Sequence, residues 1–392
     1  HGQQVNSLSL FLSLFLSQRY QTLCETHIKI MIRILAIDGG GIKGIIPLTF
    51  LSALEEKLGN KPLIDKFHLV AGTSTGGIIA LGMSSGVPVN QMKDMFLNRG
   101  GEIFSRGDSW YSRAFRWVTS VKGTVRSTYA TEPMERVFRE LVGDKKQSDL
   151  SIPTLVASYD LKGMEPFFFQ SWRAIDPDEK KLDFSLVDMA RATSAGPTYF
   201  DPKEVSIGGN DYVFIDGGVT ANDPGTCAYA AARKIFKVFH PLKEGEKNRK
   251  PRGIQVLSLG TGAYRSELKP WNGGLVSFGL PLVTEVMLGG NQLVSKYQMT
   301  NIFRATQAVD DEGHVDVGKR DYTRVNPKLE NEKLSKMDDY GNVLKLQEKA
   351  QDYLKTDQGQ QDLEKWVKFL EEDRVPLKEL YFKESLRKVA KN

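Results

Sequence analysis

Residues 67–83 read FHLVAGTSTGGIIALGM, and their reading decides the fold. An apolar run, FHLVA, enters a glycine-rich turn, and a second apolar run, GIIALGM, leaves it as a helix. The turn contains G-x-S-x-G, with Ser74 between Gly72 and Gly76. A strand that turns tightly into a helix lifts the serine hydroxyl above the C-terminal edge of a sheet, and the glycines let strand and helix pack closely. The helix N-terminus adds partial positive charge beside it, which suits a nucleophile that generates an anion. The plain alternative is an ordinary strand-to-helix turn with a capping serine.

The same rhythm extends both ways. Strands are expected at 31–37, 67–71, 154–159, 165–170, 212–215 and 254–259, and helices at 45–58, 77–85, 186–192 and 227–239. Pro47 falls in the first turn of its helix, where a missing N–H does no harm. Strands alternating with helices imply an α/β fold, a three-layer α/β/α sandwich with a mainly parallel central sheet. Residues 31–265 form the expected catalytic core. Residues 266–392 are read as the C-terminal part of the same domain, an apolar glycine-rich stretch (271–297) and then amphipathic helices from 344 to about 386. Those helices suit packing on the sheet's edge or a partner contact. Residues 1–30 are set apart as a leader, an expression scar or an extension, because Met31 directly precedes the first convincing strand. Their apolar run at 8–16 is too short to span a bilayer and lacks the basic start of a signal peptide.

A nucleophilic serine needs a base. Downstream of Ser74 the histidines are His240, in a basic loop, and His314, in the charged segment DDEGHVDVG, and neither ends a strand. His68 lies in the serine's own strand, six residues before it. The better placed group is Asp216 in YVFIDGGVTANDP, where an apolar strand ends and two glycines, Gly217 and Gly218, turn the chain. The C-terminal ends of strands are where open α/β sheets place functional groups, although Asp-Gly is also a common turn.

DGGGIKG (38–44), GTSTGG (72–77) and DGGVTANDP (216–224), in this order, resemble the patatin-like phospholipase family. The resemblance spans about residues 32–262, with DYTRVNPKL (321–329) and Met337-Asp-Asp as a further tail. It implies a patatin-like fold and a Ser–Asp dyad without histidine, with Ser74 as nucleophile and Asp216 as base. It also implies an oxyanion hole on Gly39, Gly40 and Gly41, with Lys43 standing where arginine is frequent in the family. Asp38, Gly44, Gly72, Gly76, Gly217 and Gly218 complete the motifs. The implied substrates are lipid acyl esters such as phospholipids, galactolipids or lysophospholipids. No cofactor and no metal are expected. A carboxylate of ordinary pKa, about 3.9, is a weak base for an alcohol, so burial should raise it.

Two other functions fit parts of the pattern. Gly39, Gly41 and Gly44 also satisfy G-x-G-x-x-G, which would make this a nucleotide-binding Rossmann-type protein. That motif wants an acidic residue about 20 residues further on; here the second strand ends in Ala71-Gly72-Thr73-Ser74, and Asp38 would repel a pyrophosphate. A catalytically silent lipid-binding or storage scaffold of the same fold is the second alternative. The formal net charge of +5 is not gathered in a basic tail, so no nucleic-acid partner is expected, while mild attraction to an anionic surface is allowed. Residues 99–126 combine Phe104, Trp110, Tyr111, Phe115 and Trp117 with Arg106, Arg113, Arg116 and Lys122. That composition suits either peripheral contact with an anionic membrane or a packed helical cap. With only Cys24 and Cys227, no disulfide framework is implied, and a cytoplasmic protein with peripheral membrane association is expected. The oligomeric state is left open.

Overall fold

The computed structural model of the protein describes residues 30–103, 130–177, 182–197, 199–237, 252–264, 288–304, 320–381 and 385–386. Eight strands form one sheet: β1 (Ile30–Ile37), β2 (Leu69–Thr73), β3 (Thr154–Asp160), β4 (Glu165–Gln170), β5 (Lys203–Ile207), β6 (Asn210–Asp216), β7 (Arg252–Leu259) and β8 (Arg320–Val325). Their order is β5-β6-β3-β2-β1-β7-β8, with β4 also paired to β3. The run β3-β2-β1-β7-β8 is parallel. The pairs β3–β4, β3–β6 and β5–β6 are antiparallel.

Short connections explain the antiparallel part. Gly208 and Gly209, at φ 59° and 77°, turn β5 into β6. Positive φ at both central residues is what a type I′ hairpin turn demands, and its twist matches that of the strands it joins. Around β1, by contrast, the sheet is enclosed. Ile32 to Ile37 of β1 and all of β2 are buried. Successive side chains of a strand point to opposite faces, so helices must cover both sides, which gives the three-layer α/β/α sandwich with a central sheet.

The principal helices are α1 (Ile45–Lys57), α2 (Thr75–Ser84), α3 (Val89–Ile103), α4 (Glu132–Val142), α5 (Leu186–Ser194), α6 (Gly225–Phe236), α7 (Gly289–Arg304), α8 (Val343–Lys355) and α9 (Asp357–Glu371). Helix α2 lies almost on the strand backbones. A Cβ at Gly76 would stand 2.2 Å from the Ile37 carbonyl oxygen, and one at Gly72 would stand 2.1 Å from that of Gly76. Helices α8 and α9 bury Leu346, Leu363, Trp366 and Leu370. The Trp366 ring stacks on Phe67 at 6.1 Å, and Lys66 pairs with Asp373 at 2.6 Å just beyond α9. The amphipathic C-terminal helices therefore pack on the sheet's own assembly. Among the described residues, no helix is long and apolar enough to cross a membrane.

Several sequence expectations lie outside the described residues: residues 1–29, most of the aromatic and basic stretch at 99–126, His240, His314 and Cys24. Of the stretch at 271–297 only its end is described, as the start of α7.

Candidate active site

Ser74 sits at φ 53°, ψ −124°, between the last residue of β2 and the first of α2. For a residue with a side chain this backbone is strained by about 1–3 kcal/mol. Tertiary bonds hold it there. The Ser74 N–H donates to Thr193 Oγ1 at 2.8 Å, and Thr193 Oγ1 donates to the Ala157 carbonyl at 2.5 Å. Ser74 is half-buried, with its neighbours on both sides fully covered.

The way Asp216 reaches Ser74 follows from strand register. One edge of β3 pairs with β4 from Leu155 to Asp160. The other edge is shared in succession. It carries β2 as far as Thr73, opposite Ala157, and then β6, whose Asp216 lies opposite Ser158. Where β2 turns away at Ser74, β6 arrives from the other direction and ends at Asp216. The carboxylate is 9% exposed and accepts the Gly218 N–H at Oδ1, 2.7 Å. The Asp216 N–H donates to the Ala195 carbonyl at 2.9 Å. Burial pushes the Asp216 carboxyl up to about 6, against the pull of the Ser74 hydroxyl and the Gly218 N–H, which favour the ionised form. A proton affinity in that range suits a group that must accept and return a proton near neutral pH.

A third wall is the loop after β1. The Gly39 N–H donates to the Asn222 carbonyl at 3.1 Å, and the Ile42 N–H to that of Met337 at 2.8 Å. Between them, the N–H groups of Gly40 and Gly41 have no partner among the described residues. The expected set of three glycine donors thus narrows to two, because Gly39 is already committed. Thr75, as the first residue of α2, has an amide without an acceptor inside its helix and becomes a further candidate. Gly41 lies at φ +58°, and a Cβ there would meet the Met337 carbonyl oxygen at 2.1 Å, so glycine is required. Lys43 lies one turn on and its N–H donates to Gly40 O at 3.2 Å.

Asp38, fully buried, anchors this loop through its side chain. Its carboxylate receives both terminal nitrogens of Arg324 and Gln292 Nε2, the latter at 2.9 Å. Arg324 also donates to Ser258 Oγ at 2.7 Å and pairs with Asp223 at 3.4 Å. Burial pushes the Asp38 carboxyl up to about 7, against the opposing pull of Arg324. Arg324 stays protonated, with its pKa raised by the two carboxylates despite its own burial. An aspartate so fully engaged is a structural anchor of the glycine loop.

From Ser74 a pocket opens with roughly 580 Å³ of empty space, counting its mouth. Its walls are Gly41, Thr75 and Ser194 together with Ile42, Ile78, Met95, Phe96, Ile103, Met134, Phe138 and Phe200. Met95, Phe96 and Ile103 come from α3 and Met134 and Phe138 from α4, elements that the strand–helix alternation does not predict. Among the described histidines there is only His68. It is buried before β2 begins, at the end of the strand away from Ser74, and its Nδ1 accepts the Arg33 N–H at 2.9 Å. No group of three or more metal-ligating side chains occurs among the described residues.

The class of architecture is therefore an α/β sheet with a serine on a strand-to-helix elbow and a buried carboxylate delivered beside it. Residues 35–226 match the model of the patatin-like phospholipase family. Patatin-like protein 2 of Arabidopsis thaliana is 32% identical over 260 residues, covering 61% of this chain and 62% of that protein. The chain thus spans about three-fifths of that plant relative's length. A cGAMP-activated phospholipase of Vibrio cholerae is 29% identical over 303 residues, covering 72% of this chain and 81% of its own. Among solved structures, VipD from Legionella pneumophila aligns with a TM-score of 0.34 at 12% identity, over 82% of this chain and 67% of that one.

Proposed function

We propose that the protein is a metal-independent lipid acyl hydrolase that cleaves carboxylic esters of phospholipids or galactolipids through Ser74 and Asp216. One observation carries this reading: the strained Ser74 stands beside a buried carboxylate at the mouth of a pocket whose walls are mostly apolar. Concave sites with apolar walls and a few convergent polar groups are typical ligand sites.

In this mechanism Asp216 accepts the Ser74 proton as the oxygen attacks the ester carbonyl, and a tetrahedral oxyanion forms. The N–H groups of Gly40, Gly41 and Thr75 are the candidates to receive it; one such donor is worth roughly a hundredfold to a thousandfold in rate. Collapse expels the alcohol, which takes the proton from Asp216 and leaves an acyl-enzyme. Water then attacks, gives its proton to Asp216, and the acid leaves as Ser74 is re-protonated. Ile78, Phe96, Met134 and Phe138 would hold the acyl chain. Peripheral contact with a lipid surface belongs to the same proposal, since the substrate resides there.

The test is hydrolysis of a short-chain p-nitrophenyl ester by Ser74→Ala and Asp216→Ala, followed by mass spectrometry of products from a mixed lipid extract. Both variants should lose activity while keeping the parent's circular dichroism, and free fatty acid should appear only with the parent. Near-full activity of either variant would sink the dyad. Fluorophosphonate labelling of Ser74 in the native protein separates an enzyme from a silent scaffold, which would stay unlabelled beside a labelled control hydrolase.

A further inference from the structure

Helix α7 lies beyond residues 35–226, yet two of its side chains reach both halves of the site. Asn291 Nδ2 donates to the Gly218 carbonyl at 2.7 Å, and its Oδ1 accepts the Asn222 N–H at 2.9 Å. Flipping the amide would set oxygen against oxygen and N–H against N–H, so the two partners fix its orientation. One side chain thus bridges the ends of the helical turn at Gly218–Ala221. The first end of that turn supplies the Gly218 N–H to Asp216. At the other end, the Asn222 carbonyl accepts the Gly39 N–H, and the Ala221 carbonyl accepts the Thr73 hydroxyl at 2.6 Å. The adjacent Gln292 holds Asp38, on the far side of the same glycine.

We infer that Asn291 is a positioning residue for the reaction: it fixes the 218–222 turn, and through it both the Asp216 carboxylate and the glycine loop that faces Ser74. This rests on the Ser74–Asp216 reading. The physical content is alignment. Without the amide, the Gly218 carbonyl and the Asn222 N–H lose their common partner, and the turn can rotate. Its Gly218 N–H then leaves Asp216, and the Gly39 anchor shifts relative to Ser74. Displacements of about an ångström around a reacting centre can cost a hundredfold in rate. Weaker stabilisation of the ionised Asp216 also raises its proton affinity.

The experiment compares the parent with Asn291→Ala, Asn291→Asp and Ser74→Ala on a soluble p-nitrophenyl ester across pH 5 to 9, with thermal unfolding of each. Asn291→Ala should lower kcat about tenfold or more, leave KM within a factor of about two, and move the acid limb of the rate profile to higher pH. Asn291→Asp keeps an acceptor for the Asn222 N–H but, ionised, has no donor for the Gly218 carbonyl. It should shift kcat and the acid limb in the same direction, and it carries the test if the alanine variant does not fold. Parental kcat and acid limb in folded Asn291 variants, with only a lowered Tm, would overturn the positioning role and leave the dyad standing. Retained hydrolysis by Ser74→Ala would bring down the dyad and this inference with it.

Discussion

Replacing Asp216 with asparagine should stabilise the fold while silencing it. The carboxyl is raised from an ordinary 3.8 to about 6, with burial as the largest cause. A group that holds its proton more tightly folded than unfolded favours the native state most when both are protonated. As pH rises from about 4 to about 6, the unfolded chain ionises first and the native state loses stability; above about 6 the loss is complete. A rise from 3.8 to about 6 corresponds to roughly 3 kcal/mol. Asp216→Asn removes the ionisation and keeps an oxygen for the Gly218 N–H. At pH 8 the variant should therefore unfold at higher urea than the parent, by up to roughly 3 kcal/mol, and the gap should close near pH 4. Paired urea titrations at pH 8, 6 and 4, alongside ester hydrolysis, read both sides of the trade. Equal stabilities at all three pH values, or a less stable variant at pH 8, would refute the buried-carboxylate argument.

Three more outcomes follow from the same geometry. The kcat/KM of the parent should fall as pH drops through about 6, because Asp216 must be ionised to take the Ser74 proton; a profile flat down to pH 5 would contradict this. Gly41→Ala should abolish hydrolysis, since its φ of +58° and the Met337 carbonyl 2.1 Å from the new Cβ force the loop to move, and with it the Gly40 and Gly41 N–H groups that have no partner among the described residues; parental kcat in a folded variant would show that this loop is not needed. Arg324→Met leaves Asp38 and Asp223 buried without their shared cation, and urea unfolding should show a loss of roughly 3–5 kcal/mol; a loss below about 1 kcal/mol would mean that the anchor is dispensable.

The parts of the fold legible in the sequence are those written into neighbouring residues. The elbow at Ser74, α1 with its early proline, and the strand ending at Asp216 each carry a local pattern. The sequence placed the second strand at 67–71, whereas β2 runs Leu69–Thr73. A parallel strand covered on both faces has no polar alternation to mark its ends, so its boundary is set by its neighbours. Thr193, Asn291 and Arg324 were missed for a different reason. Thr193 acts on an amide 119 residues away and Arg324 on a carboxylate 286 residues away; the stretch DYTRVNPKL that holds Arg324 belongs to the resemblance, but nothing local in it points to Asp38. Two of the eight strands among the described residues, β5 and β8, lie outside the sequence expectations. The β5–β6 turn could have been found in Ile207-Gly-Gly-Asn, a hairpin signature.

The shared edge of β3 makes the spacing of Ser74 and Asp216 a matter of counting. Thr73, the residue before Ser74, faces Ala157 and Asp216 faces Ser158, so one strand acts as a ruler whose adjacent marks take the last residue of β2 and the carboxylate. The loops between the marks can lengthen or shorten without disturbing that distance. A single residue inserted into β3 between Ala157 and Ser158 would do the opposite: it would slide β6 by one step and turn the carboxylate to the other face of the sheet. Variation in this architecture should therefore collect in the connections, while the length of β3 stays fixed.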